Sequence, residues 1–148
     1  MTDAGTRVPL IASWPGTISA GLVTPDLVDF SDFLPTICQT AGATLPPELN
    51  IDGKSFLGTL KGQEGKRREW IYSWYSVRGG PTGKEWARNQ RYKLYPDGKF
   101  YDISQDRLET TPLVELSPEA QQARATLQQA LDQYKEARPA SEKKTKKK

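Results

Sequence analysis

Four cations, Arg78, Lys84, Arg88 and Arg91, share one short stretch with Trp74, Tyr75 and Trp86. Guanidinium groups beside aromatic faces suit anionic or sugar ligands, through bidentate hydrogen bonds and ring stacking. Arg78, Lys84, Trp86, Arg88 and Trp74 are therefore the candidate substrate-binding residues. The plainer alternative is a set of strand residues whose cations lay their stems along the sheet and keep their charge in water. No catalytic set accompanies them. The chain has no histidine, the commonest general base and transition-metal ligand, and a single cysteine, Cys38. One cysteine excludes an internal disulfide and a Cys-based metal cage. It sits on an apolar helical pattern, where a small core residue is the reading to prefer. Asp26, Asp29 and Asp32 read as caps around a helix start rather than as a cation site. Asp102 and Asp106 follow a strand, where a cation site and plain turn residues are the two readings. No catalytic residue, metal ligand or resident cofactor is assigned to these residues.

The elements that must position this stretch follow from periodicity. Val8 to Ala12 is a continuous apolar run closed by Trp14-Pro15-Gly16, the pattern of a strand buried on both faces. Asp32 to Gly42 predicts a short helix with Asp32 as N-cap, Pro35 in the first turn and Gly42 as terminator. Its apolar face is Phe33, Leu34, Ile37, Cys38 and Ala41. Ser55 to Leu60 predicts one helical turn burying Phe56, Leu57 and Leu60. From Glu69 the period changes to two. Trp70 to Val77 reads as a strand, followed by a loop through Gly83, a strand Trp86–Gln90 and a third over Tyr92–Tyr95. Pro96-Asp97-Gly98 is a turn signal, and Phe100–Ile103 returns antiparallel. Ser117-Pro118-Glu119 starts a helix whose stripe of Ala120, Ala123, Leu127, Ala130, Leu131 and Tyr134 runs through to Arg138 and covers the sheet.

At 148 residues the chain is long enough for a real core. Its net charge of +3 is located in the tail: residues 139–148 hold five lysines and one glutamate, so residues 1–138 sum to −1. The body thus gives no electrostatic reason to expect nucleic acid. The lysine tail is low-complexity, and the expectation is disorder, with a weak polyanion contact as the sharper alternative. No apolar run approaches the ~20 residues of a membrane span, so no membrane partner is expected.

Asp3-Ala4-Gly5-Thr6-Arg7-Val8-Pro9-Leu10-Ile11 with Trp14-Pro15-Gly16 resembles the Glu-Gly-Gly-x-Arg-Val-Pro segment and Trp-Pro-Gly turn of the sulfatases. Val28 to Thr36 with Ala41-Gly42 resembles the family's Asp-Leu-Leu-Pro-Thr helix and its glycine. Ile51-Asp52-Gly53-Lys54-Ser55-Phe56 and Leu60-Lys61-Gly62 resemble its next loop. Arg91-Tyr92-Lys93-Leu94 and Tyr101-Asp102-Ile103, with Asp106 and Glu109, resemble its C-terminal strands. Four motifs in order, over residues 3 to about 113, resemble the C-terminal quarter to third of a sulfatase of the alkaline-phosphatase-like superfamily. The departures are Asp3-Ala4 for Glu-Gly, and Arg107 and Pro112 for the family's usual Pro and Asn.

The resemblance implies an α/β protein: a strand and helix of the sulfatase core over residues 1–66, an antiparallel subdomain of three or four strands with a C-terminal helix over 67–138, and the tail over 139–148. Family members hydrolyse sulfate esters with a formylglycine made from Cys or Ser in Cys-x-Pro-x-Arg, on a calcium ion. Cys38, in Ile-Cys-Gln-Thr, does not match that motif. The family's metal ligands, catalytic histidines and lysine all precede the segment resembled here, the lysine by a few residues. The isolated chain is therefore expected to be catalytically silent, with structural and substrate-pocket-shaping roles. Calcium and formylglycine belong to the full-length members, which are often secreted, periplasmic or lysosomal. The implied partner is an N-terminal sulfatase region or its equivalent, and the implied ligand an aryl sulfate or sulfated glycan. A stand-alone module binding sulfated or acidic glycans is the alternative from a different class; a tail-driven nucleic-acid binder is the third. The same logic leaves Val8, Leu10, Ile11, Phe33 and Ile37 exposed in the chain alone.

Overall fold

The period-two stretch after Glu69 builds the sheet. In the computed structural model, which describes residues 2–63, 67–77 and 82–137, four strands lie side by side in sequence order: β1 (Ile71–Tyr75), β2 (Lys84–Arg88), β3 (Tyr92–Leu94) and β4 (Phe100–Asp102). β2 pairs with β3 antiparallel, Ala87 opposite Leu94 and Arg88 opposite Lys93. β3 pairs with β4 antiparallel, Lys93 opposite Tyr101. The second strand ends at Arg88, short of the expected Gln90. The Asn89 side chain accepts from the Arg91 and Tyr92 amides at 2.9 and 2.6 Å and folds the chain into the next strand. The expected Pro96-Asp97-Gly98 turn forms, with Gly98 at φ +85, where a Cβ would be strained.

Among the described residues, those of 2–7 and 72–137 make one compact unit, and those of 8–71 the other. In the first, helix α4 (Pro118–Gln133) is capped by Ser117, whose hydroxyl accepts from the Ala120 amide at 3.2 Å. It packs on β2 and β3. Ala120, Leu127, Ala130 and Leu131 are buried with Ala87, Tyr92, Leu94, Phe100 and Ile103. Each fully buried large apolar side chain contributes about 1.5–3 kcal/mol. Tyr134 stacks on Tyr72 at 4.5 Å between ring centres. The helix stops at Gln133 and passes into a 3-10 turn, Lys135–Ala137; the expected end at Arg138 and the tail lie outside the described residues. A short helix, α1 (Asp3–Thr6), belongs to the same unit.

In the second unit, Asp32 stands at the expected N-cap position of the helix but makes no capping bond to it, and Asp29 caps the 3-10 turn that precedes it. The Asp29 carboxylate accepts from the Ser31 amide at 2.9 Å, and Asp32 Oδ2 accepts from the Asp29 amide at 2.8 Å, a reciprocal capping box. A 3-10 turn, Phe30–Asp32, then leads into α2 (Phe33–Ala41). Gly42 ends α2 at φ +68 as expected, with the Ala43 amide donating to Cys38 O at 2.9 Å. The buried side of α2 is not the expected one. Asp32, Pro35 and Thr36 are buried; Leu34 and Ile37 are 49% and 61% exposed. Thr36 is drawn inward because its hydroxyl donates to Asp32 O at 2.6 Å and accepts from the Phe56 amide at 3.0 Å. Phe33 is half-buried, edge-on to Phe56 at 5.6 Å. The expected turn after Ser55 is α3 (Leu57–Leu60), with Leu57 buried and Phe56 and Leu60 half-buried. Gly53 lies against Ser31, where a Cβ would come 1.9 Å from the Ser31 carbonyl oxygen.

Val8 to Ala12 forms no strand. A strand needs a neighbour for its backbone groups, and none pairs with this segment among the described residues. Val8 and Ile11 stand 71% and 89% exposed.

Candidate functional site

Successive residues of a strand point to opposite faces. β2 therefore sends Ala87 toward α4, and Trp86 and Arg88 to the other face of the sheet. On β3, Tyr92 and Leu94 join the apolar side and Lys93, opposite Arg88, joins the second. This second face is charged and yet covered.

Arg88 pairs with Asp3 of α1, and its other nitrogens donate to Asn89 O at 2.9 Å and Gln90 O at 3.4 Å. The Asp3 amide donates to Glu109 Oε1 at 2.5 Å. Lys93 Nζ donates to the same oxygen at 2.8 Å, and the Tyr95 hydroxyl to Glu109 Oε2. The Lys93 ammonium lies 4.6 Å from the Trp86 ring centre and 5.1 Å from that of Tyr95. Two cations face two carboxylates with nearly all of all four side chains out of water. Unpaired, either charge would carry a penalty of several kcal/mol. Glu109 is held at φ +56, the left-handed region, by these bonds, and the Leu113 amide donating to Phe100 O at 2.7 Å lays its segment along β4. Burial lowers the Lys93 ammonium below its usual range, against the opposing pull of Glu109. Burial also lowers Arg88, with Asp3 opposing. The Tyr95 hydroxyl is raised, by burial first and then by Glu109.

The sequence-predicted site residues separate on this frame. Trp86 and Arg88 come together, but inside: they are 4% and 8% exposed, so the surface expected from them is an internal face. The Asp3 carboxylate draws Arg88 inward, and the Lys93 ammonium covers the Trp86 ring. Lys84 is exposed at the start of β2. Trp74 is half-buried, and Gly83 packs so tightly on its indole that a Cβ there would come within 2.6 Å of the ring. Arg91 is exposed and spans Asp102 at 2.9 Å and Glu119 at 3.0 Å. Arg78 lies outside the described residues. Asp3, Lys93, Tyr95 and Glu109 were missed as a group. Their available signal was that Asp3, Lys93 and Glu109 each sit in a separate stretch resembling the family.

The aspartates read as caps or as turn residues are engaged. Asp32 takes a bidentate pair from Arg68, with Nε at 2.9 Å, and the Lys54 amide at 2.7 Å. Asp26 pairs with Arg67 at 3.2 Å and accepts from the Thr59 hydroxyl at the same distance. Asp102 holds Ser104 and Arg91; Asp106 holds the Thr110 and Thr111 amides at 2.7 and 2.8 Å. A calcium ion needs several free oxygens converging at about 2.3–2.6 Å. These carboxylates are spoken for by cations and amides and do not fit it. Among the described residues no three His, Cys, Asp or Glu side chains are grouped to hold a metal ion. Among them, too, no helix is long and apolar enough to cross a membrane.

The motif stretches that build the charged face are those of a known family. Residues 1–137 match the family model described as N-sulphoglucosamine sulphohydrolase, C-terminal. The chain belongs to this sulfatase family. It is 38% identical over 136 residues to a sulfatase of Formosa agariphila, covering 80% of this chain and 25% of that protein. To arylsulfatase G of Rattus norvegicus it is 28% identical over 140 residues, covering 81% and 27%. Among solved structures, a 2-O GAG sulfatase superposes with a TM-score of 0.52 and 29% identity, covering 72% of this chain and 24% of that one. The chain thus spans about a quarter of the length of these relatives, and the part it matches is the C-terminal sulfatase domain. Its mixed architecture, with a four-stranded antiparallel sheet, agrees with the fold class expected from the sequence.

Proposed function

We infer that this chain acts as the C-terminal part of a sulfatase, an enzyme that hydrolyses sulfate esters of aryl groups or sugars, and that it supplies structure and one edge of the substrate pocket rather than the chemistry. The observation that carries this is the pairing of two features: family stretches that converge on one internally satisfied ionic face, and an apolar segment and helix face left uncovered. Among the described residues of that face no reactive group is left free, and the second feature needs a partner. That partner is an N-terminal sulfatase region, which would also bring the formylglycine and calcium of the family. Its strands would pair with both edges of Val8–Ala12. At the pocket edge, the exposed Lys84 together with Trp74 is proposed to meet the anionic substrate; Trp86 and Arg88 serve beneath the surface as structure, and Arg78 lies outside the described residues.

A stand-alone glycan-binding module is less well supported. Arg88 and Arg91, two of the cations it would use, are committed to carboxylates of the chain itself.

The test is to assay sulfate release from an aryl sulfate by the chain alone, and by the chain co-expressed with the part of the Formosa agariphila sulfatase that precedes the matched region. The expected result is no turnover from the chain or the catalytic region separately, and turnover from the pair. Turnover by the chain alone, or a pair that stays silent while co-purifying, would overturn the reading.

A further inference from the structure

Residues 2–7 are far in sequence from the sheet they contact, yet they touch it through charge rather than apolar packing. Asp3 is 1% exposed and reaches both arms of the buried cluster: its carboxylate takes Arg88 and its amide meets Glu109. Around it, Ala4, Gly5 and Arg7 are exposed and Thr2 and Thr6 half-buried, so no apolar side chain of the segment is seated. At the ends of α1 the Gly5 amide donates to Thr2 O and the Arg7 amide to Asp3 O, each at 3.0 Å, and the Thr6 hydroxyl donates to Thr2 O at 3.3 Å. Four residues do not hold a helix in water by themselves. The sheet has the reverse character, since Ala87, Leu94, Phe100 and Leu127 close a core on α4 without help from residues 2–7.

We propose that the Asp3–Arg88 pair, steadied by Glu109 and Lys93, is a latch: it fixes residues 2–7, as a strap separable from the sheet, over the charged face. Asp3 and Arg88 are its positioning residues. The strap shields Lys93 and Trp86 from water while it is closed, and it sets where any chain preceding it meets the sheet. The latch is a property of this chain's own residues and stands whether or not the sulfatase reading does.

Amide hydrogen exchange on the full chain tests it, comparing wild type with Arg88→Gln and with the double variant D3N/R88Q. Arg88→Gln strands the Asp3 carboxylate, and exchange at Gly5 and Arg7 is expected to rise at least about tenfold. The amides of β3 and β4 should stay within about threefold of wild type, because their burial does not depend on the strap. D3N/R88Q strands no charge and keeps the side-chain shapes; it decides the matter if Arg88→Gln does not fold. In it Gly5 and Arg7 should still exchange faster than in wild type, over an unchanged sheet. Wild-type exchange at Gly5 and Arg7 in D3N/R88Q, or a rise that the sheet amides share, overturns the latch.

Discussion

Asp32 and Asp3 are both almost wholly buried carboxylates, and each is balanced by an arginine distant in sequence. For Asp32, burial alone would raise the carboxyl. The Arg68 guanidinium and the Lys54 and Asp29 amides together outweigh that and hold it below its ordinary value of 3.8. A carboxyl depressed on folding stabilises the native state fully above its unfolded pKa, and that contribution is lost as pH falls through the folded value. Wild type should therefore lose stability in residues 8–71 as the pH falls below about 3.8. Asp32→Asn should be less stable at pH 7 and lack this part of the acid loss. Urea melts at pH 7 and pH 3 followed by exchange of residues 8–71 check this, and an acid limb of equal size in both proteins would contradict it. The sequence marked Asp32 as a helix cap because its position before an apolar run is that of a cap. That it also gathers Arg68 and the Lys54 amide depends on long-range contacts that local spacing does not carry.

Elements read from periodicity survived where neighbours within the same unit satisfied them. All four strands and α4 were legible, since alternation and a capped apolar stripe are local signals. Their ends moved where a side chain intervened, as Asn89 does at the close of β2. The α4 stripe is a core in the sense expected, so Leu127→Ala should cost about 2–5 kcal/mol through a cavity between α4 and the sheet. A midpoint shift in chemical denaturation, at unchanged slope, measures it; a loss below about 0.5 kcal/mol would mean that the helix is not seated there. The buried face of α2 was misread for a physical reason. Apolar periodicity identifies the face that seeks cover, whereas the polar bonds of Thr36 and Asp32 decide which face finds it within this chain.

At the scale of the molecule, the two compact units differ in completeness. The sheet unit closes its own core. The other leaves Val8, Ile11, Phe30 and Ile37 from 61% to 89% exposed, and Leu10 at 47%. Of the residues expected to be exposed, only Phe33 is half covered, by Phe30 and Phe56. Monomeric proteins seldom leave large apolar patches uncovered. The chain alone should therefore bind a hydrophobic dye and self-associate, and a Val8→Ser, Ile11→Ser, Ile37→Ser triple variant should do both less. Dye fluorescence and sedimentation measure this, and a monodisperse wild type with no dye response would count against it.

The sequence by itself determined the family, the strand and helix inventory of the sheet unit, and the apolar segment with no strand to join. Each is written in order and spacing along the chain. Only the tertiary structure decided which charges are internal. Asp3, Arg88, Lys93 and Glu109 meet across gaps no periodicity spans, and a cation on a strand reads the same whether it faces water or a carboxylate from the far end of the chain.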